Sequence, residues 1–143
     1  PDLFDPCAEI PIEAVEEALG GPVELDEQLR IERPGELLSC GWRNREVIFN
    51  VLSTWKSRDE YLNDGIFITS EQSVAGRPGI QLADKSATQS CRQAFFTSLG
   101  TVYSSIDLIH GLSAFRGENF VDPCEVLNTV AELTLHSLPE GDY

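Results

Sequence analysis

Methionine is absent from all 143 residues, the first included, and nowhere do eighteen apolar residues run together. The missing apolar run excludes a membrane-spanning helix. The missing methionine, together with an even number of widely spaced cysteines, points to a mature exported chain or to an artificially trimmed one from which a leader was removed. Basic residues are also scarce: ten Lys and Arg face 24 Asp and Glu, a net charge of −14. Nucleic acid or an anionic lipid surface would need a basic patch, and the ten are scattered, so neither is expected as a partner. The acidity itself reads most simply as solubility. Only two histidines occur, His110 and His136, far apart in sequence, and each reads as a surface or hydrogen-bonded side chain rather than a ligand. No Cys-x-x-Cys pair is present, which excludes a zinc ribbon and a thioredoxin-type redox centre. No cofactor is expected.

Four cysteines are present, evenly numbered and widely spaced, and they predict two disulfides formed in an oxidising compartment. Cys7 to Cys40 and Cys91 to Cys124 are both 33 positions apart (40 − 7 and 124 − 91), each joining a helix start to a strand-like segment. That symmetry favours these two pairs. The nested alternative, Cys7 with Cys124 and Cys40 with Cys91, stays open, because sequence alone does not choose among connectivities. A chain of this length suits one domain, residues 1–143, and buries roughly two-thirds of its unfolded surface.

The stretch Val121-Asp122-Pro123-Cys124-Glu125-Val126 concentrates helix-start signals. Asp122 suits the N-cap, Pro123 the first helical position, and Glu125 the return arm of a capping box, with Val121 and Val126 as a hydrophobic staple. Asp5-Pro6-Cys7 repeats the core of this pattern near the N-terminus, with Asp5 as the cap and Pro11 restarting the helix. A helix over 11–19 follows, stopped by Gly20-Gly21. Residues 22–35 read as a polar, acidic surface connection holding a short extended piece. Alternating apolar residues over 37–52, broken at Arg43-Asn44-Arg45, predict a hairpin, and 92–97 with 101–108 predict a second around Ser98-Leu99-Gly100. Between them lie a helical turn capped by Ser57 with Glu60, an apolar piece at 66–68 and a short strand at 80–83. Residues 111–119 read as a loop, and a final helix runs from Pro123 to about Ser137. Hairpins and amphipathic helices together predict an α+β layered sandwich: an antiparallel sheet flanked by N- and C-terminal helices and carrying two disulfides.

Most candidate chemistry fails on its own requirements. Gly111-Leu112-Ser113-Ala114-Phe115 imitates a hydrolase nucleophile elbow with His110 beside it, but Phe115 stands where the tight turn needs glycine. Glu60, Asp64, Gly65 and Glu71 match four positions of a calcium loop, yet Leu62 fills a position that must supply oxygen. Glu13, Glu16 and Glu17 read as a solvated helix face. Trp42, Trp55, Phe95, Phe96 and Tyr103 are candidates for an apolar pocket on the sheet, against the plainer reading of core packing.

An ordered set of short motifs spans nearly the whole chain: Phe4-Asp5-Pro6-Cys7, Ser39-Cys40-Gly41-Trp42, Gly76-Arg77-Pro78, Cys91-Arg92, Asp122-Pro123-Cys124-Glu125 and Leu138-Pro139. Taken together they resemble an actinobacterial family of exported lipoproteins of unknown function. The resemblance implies a lipid-bearing cysteine upstream of Pro1, residence on the outer face of the plasma membrane or release from it, and a sandwich similar to the Mog1/PsbP group. It brings no catalytic residues. The expectation from sequence is a non-catalytic cell-envelope domain that binds a protein, an assembly or another ligand there. A carrier of a lipid or other apolar small molecule, and an enzyme using scattered Asp and Glu residues, are the alternatives.

Overall fold

The computed structural model describes residues 2–65, 67–84, 88–109, 114–119 and 121–141. The chain begins with α1 (Pro6–Glu9) and α2 (Ile12–Leu19), two helices separated by Pro11. Asp5 caps α1 by accepting from the Cys7 N–H at 3.1 Å, and Gly20 closes α2 in the left-handed region at φ 83°. The acidic connection then lays down β1 (Glu24–Leu25), a single 3-10 turn (Glu27–Leu29) and β2 (Ile31–Arg33). Both short strands pair with one side of β3 (Leu37–Arg43), so the edge of the sheet is broken in its middle.

β3 turns into β4 (Val47–Thr54), where Asn44 Oδ1 accepts from the N–H groups of Glu46 and Val47 and fixes the hairpin. α3 (Arg58–Leu62) carries the complete capping box, Ser57 with Glu60. β5 (Phe67–Glu71), β6 (Ile80–Asp84), β7 (Ser90–Thr97) and β8 (Gly100–Leu108) follow, and α4 (Pro123–Thr134) ends in a 3-10 turn over Leu135–Ser137. Every pairing is antiparallel, in the order β1-β3-β4-β8-β7-β6-β5 with β2 also on β3. The α+β sheet-and-helix architecture is the one read from the pattern. One detail differs: at α4 the Asp122 carboxylate caps alone, accepting from the Cys124 N–H at 2.9 Å, while Glu125 is exposed.

The pleat sends alternate residues to opposite sides of the sheet, and the two sides are packed differently. Toward α1, α2 and α4 point Cys40, Trp42, Phe49, Val51, Ile106 and Cys91, which join Val15, Leu19, Leu127 and Val130 in the main core. Trp42 stacks on Phe49 with ring centroids 5.7 Å apart. Both disulfides lie on this side: Cys7–Cys40 fastens α1 to β3 and Cys91–Cys124 fastens α4 to β7. The nested alternative is thereby excluded. Toward the other side point Tyr103, Ala94, Phe96, Ile80 and Leu82, covered by Tyr61 of α3.

Amide side chains, of which Gln93 is buried, link α4 to β6 and β6 to β7. Gln81 Nε2 donates to Asn128 Oδ1 at 2.9 Å, and Gln93, fully buried, donates through Nε2 to the Gln72 carbonyl at 2.9 Å. Gly79 runs so close to β7 that a Cβ there would sit 2.4 Å from the Ala94 carbonyl oxygen. A side chain at 79 would push the strands apart.

Candidate binding surface

The motifs that stood out in the sequence are occupied by architecture. Asp5 caps Cys7 and also receives both terminal nitrogens of Arg30, at 2.9 and 3.2 Å, while Arg30 donates to the Ser39 carbonyl at 2.9 Å. Burial pushes the Asp5 carboxyl up, but the Arg30 guanidinium and the Cys7 and Ala8 N–H groups outweigh it, so its pKa lies below the usual value. Gly76-Arg77-Pro78 belongs to a tight turn over Val74–Arg77, with Ala75 and Gly76 both at positive φ. Arg77 lies over the Phe95 ring and donates to the carbonyl of Pro139. Two motif pieces 62 positions apart thus meet as a clamp on the C-terminal segment.

The calcium-loop candidates are equally engaged: Asp64 pairs with Lys56 at 3.2 Å, Glu71 with Arg58 at 2.7 Å, and Glu60 closes its capping box. Among the described residues no group of three or more His, Cys, Asp or Glu is placed to hold a metal ion. Of the serine-elbow candidates, His110 and Ser113 lie outside the described residues.

The pocket candidates Trp42, Trp55, Phe95 and Tyr103 do not come together at one place. Trp42 and Phe95 face the helices, 2% and 1% exposed; Phe95 packs with Val74 and Ala131. Tyr103 and Phe96 are on the opposite side of the sheet, and Trp55, beyond the end of β4, is 42% exposed. The physical reason is register. A three-residue turn over Ser98-Leu99-Gly100 would set Phe95 opposite Tyr103; the observed two-residue turn pairs Phe95 with Val102 and Ala94 with Tyr103, which sends the two aromatic rings to different faces.

The Tyr103 side of the sheet instead carries alternating rings and cations. Lys56 sits 4.4 Å from the Tyr61 ring centre, Tyr61 stacks on Tyr103 at 5.8 Å, and Arg92 lies over both Tyr103 and Phe67 at 5.9 and 5.2 Å. Beside Arg92, burial raises the Asp107 pKa, with the Arg92 charge and a Ser90 hydrogen bond pulling back against it. Because the folded value lies above the ordinary 3.8, the native state binds the extra proton. Stability from this group is therefore present in acid and lost as pH rises from 3.8 through the raised value. Urea denaturation of Asp107→Asn from pH 3 to 7 is expected to show the variant gaining on the native protein as pH rises; a constant gap would refute it.

While Trp55, Leu62, Ile68 and Leu99 are exposed apart from it, one open apolar surface lies around Cys7–Cys40. Two depressions of about 250 and 320 Å³ adjoin there, sharing Cys7, Leu25 and Cys40 in their walls. Ile10, Pro11, Ile12 and the edge of Trp42 complete the larger, and Asp26, Glu27 and Arg30 border the smaller. Leu25 reaches this place because β1 pairs it with Trp42, on the helix-facing side but past the cover that α1 provides. It is 57% exposed, and Ile12 across the groove 37%. In sequence Leu25 was hidden within a connection read only as acidic and polar; its pairing partner 17 positions on is what gives it meaning.

These features define a small disulfide-stapled α+β domain with α1, α2 and α4 on one face of an antiparallel sheet and α3 on the other. Over residues 1–137 the chain matches the model of a family described as protein of unknown function (DUF3558), and it belongs to that family. No curated protein matches, and no solved structure matches.

Proposed function

We propose that the chain is a non-catalytic, extracytoplasmic domain of an exported lipoprotein that binds a protein of the cell envelope at its surface. The observation that carries this reading is where apolar surface is closed and where it is open. Between sheet and helices the volume is taken by Trp42, Phe49, Phe95, Leu19 and Leu127, each at most 2% exposed, which speaks against an internal lipid or other apolar ligand. Leu25 and Ile12 meanwhile stand open beside a disulfide. Large exposed apolar residues gathered over depressions are what a protein partner covers. The engagement of Asp5, Asp26, Glu46, Glu60 and Asp122 in caps, backbone bonds and ion pairs supports the absence of catalysis. Two disulfides support an oxidising location.

The test is photo-crosslinking in the native envelope from several surface positions, 25 and 68 among them. One reproducible, identified protein partner is expected. Capture of lipid alone, or of nothing from any position, would overturn the reading.

A further inference from the structure

We propose that the groove beside Cys7–Cys40 takes a stretch of polypeptide in which an apolar anchor is flanked by lysine or arginine. This rests on the reading of the chain as a binding domain, and it names the chemistry of the partner. The floor of the groove is apolar and fixed. Cys7–Cys40 forms its base, and α1 is held at its start, where the Asp5 carboxylate both caps the helix and receives the Arg30 fork, so little ordering is left for the moment of binding. An anchor that fits between Leu25 and Ile12 would be shielded from water by the Trp42 edge and the Cys7–Cys40 bridge.

Charge decides what flanks that anchor. The first 36 residues hold eleven Asp and Glu against two arginines, a net of −9 out of the −14 of the whole chain. Glu9, Glu13, Glu24 and Glu27 are exposed on the elements that bound the groove, and none forms an ion pair with a described residue. The nearby cations are already neutralised, Arg30 by Asp5 and Glu32 and Arg43 by Asp26. An apolar groove in such a field attracts cationic flanks and repels acidic ones. A second copy of this chain would bring the same negative surface and is disfavoured for that reason.

The experiment uses the disulfide-intact chain and a displayed random library of twelve-residue peptides. Enriched peptides are expected to carry an apolar core bordered by Lys or Arg. They should lose at least tenfold in affinity against Leu25→Ser and weaken severalfold for Glu27→Gln and in raised salt. Leu25 is exposed, so its replacement leaves the fold intact, checked by an unchanged melting transition. Enrichment of acidic or uncharged sequences, or no enrichment, overturns the proposal. Peptides that bind Leu25→Ser equally well also overturn it, while leaving the binding-domain reading standing; the envelope crosslinking tests that reading separately.

Discussion

Replacing Cys91 and Cys124 together with alanine is expected to lower the free energy of unfolding by about 3–4 kcal/mol. The bond closes a loop with a sequence separation of 33, and in the chain-entropy model a ring of that size withholds this much freedom from the unfolded chain. Cys91 is fully buried, so its removal also leaves a small void that the packing does not refill. The helix keeps other attachments: Val126, Leu127 and Val130 remain in the core, Asp122 still caps, and Asn128 still receives Gln81. The variant is therefore expected to stay folded, with near-native far-UV dichroism, but to show faster amide exchange in the first turns of α4 than elsewhere. Urea denaturation measures the loss. A change below about 1 kcal/mol would show that the bond adds little to packing already complete without it.

The second large effect is Trp42→Ala, expected to cost about 3–5 kcal/mol, the usual range for deleting a buried aromatic side chain. Trp42 is 2% exposed, stacked on Phe49, and lies against the elements that Cys7–Cys40 draws together. The control is Trp55→Ala. Trp55 is 42% exposed beyond the end of β4, and its loss is expected to stay below about 1 kcal/mol. Thermal melts of the two variants should therefore separate by roughly ten degrees or more. The native emission spectrum should resolve into a blue-shifted component that Trp42→Ala removes and a solvent-exposed one that Trp55→Ala removes. Equal melting temperatures would contradict the placement of Trp42 in the core.

Much of this architecture was legible because its signals are local. Asp-Pro-Cys at 5–7 and 122–124 states cap, first helical residue and crosslink within three positions, and both caps form as read. The hairpin at 37–54 is legible from alternation on both sides of Arg43-Asn44-Arg45. Equal spacing favoured the pairing of the cysteines that the fold adopts. What escaped depends on register or on distant pairing. Whether Tyr103 faces Phe95 or Ala94 is decided by one residue of turn length, and no composition signal records that. Leu25 is a single apolar residue among acids until β1 sets it beside Trp42. Arg77 looked like part of a turn motif, and only the fold shows it reaching the carbonyl of Pro139. The candidate surface was thus the least readable part, since its walls come from three separate segments of chain, 7–12, 25–30 and 40–42.

The two rings closed by disulfides lie one after the other along the chain, 7–40 and 91–124, sharing no residue. That order matters for a polypeptide delivered N-terminus first. Cys40 is the first cysteine to emerge after Cys7, and Cys91 is another fifty-one residues behind. The first pair can therefore join before Cys91 and Cys124 follow. Each bond can form from its nearest waiting neighbour, so correct oxidation needs no reshuffling of earlier mistakes. A nested arrangement would instead have required Cys7 to remain unpaired past two competitors. For a chain delivered in that way, sequential rings let the order of emergence favour the pairing seen in the fold.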